Sequence, residues 1–134
     1  MTPAGVRTGR VIGVKRHITY RDLLRSNCIN CSSVVLRAEL AARYPMEHED
    51  SHEDYITWLK LLHDGGYAVG IDEPLLYYRL SNSGKSGSKR KSAGMTYKAY
   101  RYAGLGRGRA GLCFVSYALH GLLKYARSYL PVRS

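Results

Sequence analysis

The chain has 134 residues, 45% hydrophobic and 10% aromatic, which excludes a disordered polymer and suits one folded domain with a core of its own. The net charge of +11 is uneven: positions 1–73 hold nine Lys/Arg against all ten acids, and positions 74–134 hold the other twelve Lys/Arg and no acid. The second segment therefore calls for an anionic partner, whether phosphates, nucleic acid or a membrane surface.

Tyrosine dominates the aromatics, twelve against one Phe and one Trp, which suits polar ligands such as sugars and equally suits wet interfaces. Cys28, Cys31 and Cys113 are too few for a disulfide framework. The first residues contain no apolar h-region, so no signal peptide is expected. The longest apolar run, 112–119, is too short to span a bilayer. The expected location is the cytoplasm, with the inner face of the cell membrane as a peripheral site.

Taken in order, 10–15 reads as a short strand and Tyr20–Arg25 as a short helix capped by Thr19. The β-branched run 31–37 reads as a buried strand. Residues 38–43 form a helical turn or two before Pro45, and 46–50 a loop. The best-marked element is a helix at 51–66. Ser51 is the expected N-cap, Asp54 stands at the capping-box spacing, and Gly65 and Gly66 stop the helix. Ile56, Trp58, Leu59, Leu61 and Leu62 give it a broad apolar face. This places two carboxylates, Glu53 and Asp54, in its first turn, where the helix dipole favours their ionised form. Strands follow at 67–71 and 75–80, around a turn at 72–74. A basic Ser/Gly loop runs over 81–92, then a helix over 93–103, a turn-rich break over 104–111 and a second helix over 112–130. Alternating strands and helices argue an α/β layer structure.

Several motifs fail on context. His48-Glu49-Asp50-Ser51-His52 matches a zinc-protease pattern, but a helix starting at Ser51 leaves His48 outside it, and no acid after Glu73 can complete the site. Gly106 to Gly111 matches a dinucleotide fingerprint without the strand before it or the acid after it, so a helix–helix turn is expected. Gly84-Lys85-Ser86 lacks the first glycine of a P-loop, whose place is taken by Arg79. The lone Cys28/Cys31 pair reads as structural.

Five segments together carry a more specific signal. They are 18–27 with Ile29 and 32–35; Glu53-Asp54-Tyr55 with Trp58-Leu59; Gly66-Tyr67; Glu73-Pro74-Leu75; and Tyr78-Arg79 with the loop after it. In order and spacing, over about 10–91, they resemble the C-terminal, acceptor-binding half of bacterial family 2 glycosyltransferases of the GT-A fold. The resemblance implies a partial GT-A-type mixed α/β sheet with flanking helices, followed by a basic helical C-terminal tail. The implied acceptor-side half is 1–84; the remaining 85–134 read as a basic loop and amphipathic helices, and Lys124 and Arg127 beside Leu119, Leu122, Leu123 and Leu130 suit a membrane surface.

The resemblance also implies an activity: inverting transfer of a sugar from a nucleotide-sugar donor to a hydroxyl of a cell-surface glycan or lipid-linked acceptor. Asp54 matches the catalytic base by position. Glu53, Asn27, Ser32 and Trp58 match substrate-binding positions, and Arg79 with Lys85 and Lys89 would face the diphosphate. These enzymes carry a D-x-D motif for a divalent metal, Mg or Mn, in an N-terminal half that this sequence does not contain; no metal is expected on this chain itself. The chain reads as the acceptor half of a split, truncated or mis-started gene, inactive without a separate donor-binding half. The competing class is a non-enzymatic basic module on nucleic acid or an anionic membrane. Nucleic acid is disfavoured because no nucleic-acid fold motif is present.

Overall fold

The computed structural model describes residues 2, 4–7, 9, 11–77, 79 and 89–128, with the backbone alone at 89–90 and 123–128. The architecture is mixed α/β and mostly helical. In chain order the elements are β1 (His17–Ile18), α1 (Tyr20–Arg25), a single tight helical turn at Cys31–Ser33, α2 (Ala38–Arg43), α3 (Glu53–His63), β2 (Ala68–Val69), α4 (Lys89–Tyr102) and α5 (Arg107–Ser128).

The helix α1 starts where Thr19 and Asp22 make it start. The Asp22 carboxylate accepts the Thr19 backbone N–H at 3.0 Å and the Thr19 hydroxyl at 2.9 Å, and Lys15 donates to the same carboxylate at 2.6 Å. These bonds hold its pKa down to about 2. Among the described residues the sheet consists of β1 and β2, antiparallel, pairing His17 with Val69 and Ile18 with Ala68. Gly70 donates to the Arg16 carbonyl at 3.0 Å. A Cβ at Gly70 would lie 2.3 Å from the Lys15 carbonyl oxygen, so the two chains approach this closely only around a glycine.

The centre of the molecule is α3. Tyr55, Ile56, Thr57, Trp58, Leu59, Leu61 and Leu62 are all buried, which leaves only its first turn, Lys60 and His63 toward solvent. Around it pack Ile18 and Leu23 from β1 and α1, Ala99 and Tyr100 from α4, Leu105, and Ala110 from α5. Gly65 follows α3 with φ +91°, the left-handed conformation that ends a helix without strain in glycine. A pair of buried phenols ties three helices together. The Tyr55 hydroxyl donates to the Leu23 carbonyl, the Tyr100 hydroxyl donates to the Leu24 carbonyl at 2.9 Å, and the two oxygens are 3.1 Å apart. Burial pushes both phenols well above the ordinary tyrosine range.

The structure corrects several expectations. Ser51 is not the N-cap of α3; His52 is, and Ser51 is fully buried with its hydroxyl donating to the Met95 carbonyl of α4 at 2.8 Å. No strand forms at 11–15 or at 31–37. Cys31–Ser33 is a helical turn held by Asn30, whose Oδ1 accepts the Ser32 N–H, and Val35 beyond it is 100% exposed. A β-branched run without a partner strand has nothing to pair with. Residues 75–77 are likewise not a strand; Tyr78, Leu80 and the loop 81–88 lie outside the described residues, as does the end of the expected helix at 129–130. The C-terminal segment is not a tail. α4 begins earlier than expected, α5 begins at Arg107 inside the expected break, and both contribute to the central core. Tyr97 of α4 meets Phe114 of α5 edge to face, with ring centroids 6.3 Å apart.

Candidate active site

Glu53 and Asp54 occupy the first turn of α3, partly exposed, where the buried remainder of the helix fixes their position. Asp54 Oδ1 accepts the Tyr55 N–H at 2.8 Å. That bond satisfies one of the amide groups a helix start leaves open and orients the carboxylate. Its Oδ2 makes no hydrogen bond among the described residues, which leaves one oxygen for an incoming proton.

The Cys31–Ser33 turn lies beside this pair. Burial raises the Cys31 thiol pKa, and the negative charges of Asp54 and Glu53 raise it further. Ser32, on the same turn, is exposed, with its N–H held by Asn30 Oδ1. Asn27 sits on the same connection, half-buried, one end of a contact between its backbone and the Tyr117 hydroxyl of α5. Among the described residues, the buried side-chain polar atoms without a hydrogen-bond partner are Asn27 Oδ1 and Trp58 Nε1. Such atoms are few in a folded chain and costly to leave open. Trp58 itself belongs to the core, 4% exposed.

On the other flank, the loop before α3 is braced against α4. His48, at φ +68°, stacks on Tyr102 with ring centroids 3.8 Å apart. Asp50 accepts Lys98 Nζ at 2.7 Å and the Tyr102 hydroxyl at 3.3 Å, and the Lys98 hydrogen bond lowers its pKa. His52 Nε2 lies 3.4 Å from the Ser92 hydroxyl. His48 is thus in a loop and His52 is a helix cap, so the two do not share a helix face. Among the described residues no three His, Cys, Asp or Glu side chains converge as a metal-ligand set.

The remaining expected residues are dispersed. Arg79 is exposed, and its guanidinium lies 3.5 Å from where a Cβ on Gly5 would stand. Lys85 lies outside the described residues. Lys89 is the first residue of α4, described in its backbone alone. The brace of His48, Asp50 and His52 against α4, and the position of Cys31 beside the acids, were not anticipated. The sequence did hold one clue to the latter, since Asn30 two residues before Ser32 is the spacing of an Asx turn.

Comparison with known proteins bears on this arrangement. The chain is 34% identical over 125 residues to a protein of Bacillus subtilis (strain 168) named for teichuronic acid biosynthesis as the glycosyltransferase TuaG, covering 92% of this chain and 50% of that protein. It is 28% identical over 117 residues to the Escherichia coli protein WfaP, a UDP-Glc:alpha-D-GlcNAc-diphosphoundecaprenol beta-1,3-glucosyltransferase, covering 87% of this chain and 46% of that one. The chain is a relative of glycosyltransferases. It spans about half the length of the curated relatives it matches. No family model and no solved structure matches it. The relationship runs through nearly all of the chain, so α3 and its acidic first turn, the Cys31–Ser33 turn and the two C-terminal helices all lie within a glycosyltransferase-related sequence rather than beside one.

Proposed function

We propose that this chain forms the acceptor side of an inverting family 2 glycosyltransferase of GT-A type, with Asp54 as the general base. The observation that carries the reading is the acidic first turn of α3. It is anchored by seven buried residues, with one Asp54 oxygen bonded to the helix and the other without a hydrogen bond among the described residues.

In the proposed reaction, Asp54 takes the proton of an acceptor hydroxyl. The oxygen attacks the anomeric carbon of a nucleotide sugar from the face opposite the diphosphate. The bond from that carbon to the diphosphate oxygen breaks, the nucleoside diphosphate leaves with the electron pair, and the configuration inverts. Base assistance of this kind is worth about 10²–10⁴-fold. Glu53, Ser32 and Asn27 would hold sugar hydroxyls, with the open Asn27 Oδ1 as one acceptor. Trp58 would act from beneath, through its indole N–H and by fixing α3. Arg79, Lys85 and Lys89 would meet the diphosphate, where guanidinium and ammonium groups pair with phosphate oxygens. The acceptor is proposed to be a cell-envelope glycan or a lipid-linked sugar, in line with the names of the two relatives. Donor binding and its metal would be supplied by the part of the relatives' length that this chain does not span.

The test joins this chain to the donor-binding half of a relative such as TuaG and measures sugar transfer. Asp54→Asn keeps a hydrogen-bond acceptor for the Tyr55 N–H, so its melting temperature should stay within a few degrees of the parent. Turnover should fall by about 10²-fold or more. Glu53→Gln should lose less turnover and more acceptor affinity. Transfer by Asp54→Asn at the parent rate would reduce Asp54 to a helix-end residue and place the base elsewhere.

A further inference from the structure

The helix α5 is apolar on two opposite faces. One, with Ala110, Cys113, Phe114 and Tyr117, packs into the core. The other carries Leu112, Val115, Leu119 and Leu122, which are 75%, 56%, 55% and 68% exposed. Their spacing of three, four and three residues gathers them into one narrow stripe at about 100° per residue.

A groove of about 260 Å³ runs between α1 and α5 beside this stripe, lined by Arg21, Leu24, Arg25, Leu112, Cys113 and Ser116. Leu112 belongs to both, so the groove and the stripe are continuous. Arg109 lies near enough to Tyr20, at the start of α1, for its charge to act on that phenol. Arg21 and Arg25 line that groove, and Arg109, seven residues before Ser116, falls on the side of α5 that Ser116 takes, so the three arginines flank one edge of the aliphatic stripe. No acid occurs in α5, or anywhere after Glu73.

We propose that this face docks on the surface of an anionic lipid bilayer. The four aliphatic side chains enter the boundary between headgroups and acyl chains, and the three arginines meet lipid phosphates. No helix among the described residues is long and apolar enough to cross a membrane, so α5 lies in the plane of the surface. A second copy of the chain is disfavoured as occupant, because pairing two such faces would oppose two arginine edges with no acid on α5 to relieve them. Nucleic acid would satisfy the arginines and leave the aliphatic stripe wet. The proposal stands whether or not the chain takes part in sugar transfer.

The test is co-sedimentation of the full chain with vesicles of phosphatidylcholine, or of phosphatidylcholine and phosphatidylglycerol in equal parts. Binding should require the anionic lipid and weaken with salt. Leu119→Glu with Leu122→Glu should lower it about tenfold or more, since both positions are exposed and the helix does not need them. The charge-conserving pair Leu119→Ser with Leu122→Ser should also weaken it. Arg21→Gln with Arg25→Gln should lower it and flatten its salt dependence. Equal binding to neutral vesicles, or undiminished binding by the glutamate and serine pairs, would overturn the proposal. So would a concentration-dependent dimer in sedimentation equilibrium that the same pairs abolish, which would assign the face to a second copy.

Discussion

At the scale of single residues, Asp22 sets an acid limit. Its carboxylate is held near pKa 2, first by the Lys15 hydrogen bond and then by those of Thr19, against about 3.9 in an unfolded chain. A folded-state value below the unfolded one stabilises the fold above the unfolded pKa and is lost as pH falls through the folded one. Thermal melts should therefore show the parent losing stability between about pH 4 and pH 2 more steeply than Asp22→Asn, which has nothing left to protonate. Parallel curves for the two proteins would dismiss the contribution. The buried phenol of Tyr55 makes a second case. Tyr55→Phe keeps the ring and strands the Leu23 carbonyl inside the core, so chemical denaturation should show a loss of about 1–3 kcal/mol.

At the scale of elements, Gly70 has the tightest surroundings of the described glycines. A methyl group there meets the Lys15 carbonyl, so Gly70→Ala should part β1 from β2 and lower the melting temperature by several degrees or more. Gly65→Ala should cost less, since its strain is that of backbone conformation alone, with open space around the added Cβ. Local sequence was a good guide wherever the deciding partner was local. Thr19 and Asp22 announce α1, the apolar spacing of 56–62 announces the buried face of α3, and Gly65 announces its end. It misled wherever the partner was distant. Ser51 has the look of a cap, but its hydroxyl is taken by Met95, 44 positions on. Val34 and Val35 have strand propensity but no strand beside them. Of the site, the acidic pair was legible because it sits inside a well-marked helix. Its neighbours across space, Cys31 and the bracing His48, Asp50 and Tyr102, were not, because only tertiary packing brings them there.

At the scale of the whole molecule, the basic C-terminal segment is a structural part of the core rather than an addition to it. Phe114 and Tyr117 of α5 pack on the buried cluster, and Ala110 belongs to it. A chain ending at 106 should therefore lose its cooperative thermal transition and its near-ultraviolet circular dichroism. A sharp transition surviving in that shortened chain would show that 1–106 holds a core of its own. Functional dissection of the membrane-facing stripe consequently needs point changes on its exposed side, not removal of the helix.

The two phenols that grip α1 have a consequence for how the molecule breathes. Six residues are too few to hold a helix in water unaided. The last carbonyls of α1 are closed off by hydroxyls from α3 and α4, elements that lie at the centre. Fraying from the C-terminal end of α1 is therefore blocked unless α3 and α4 move apart first. In native-state hydrogen exchange, the α1 amides should share the slow, denaturant-sensitive opening of α3 rather than the fast exchange usual for so short a segment. The double change Tyr55→Phe with Tyr100→Phe should uncouple the two, leaving α1 to open on its own.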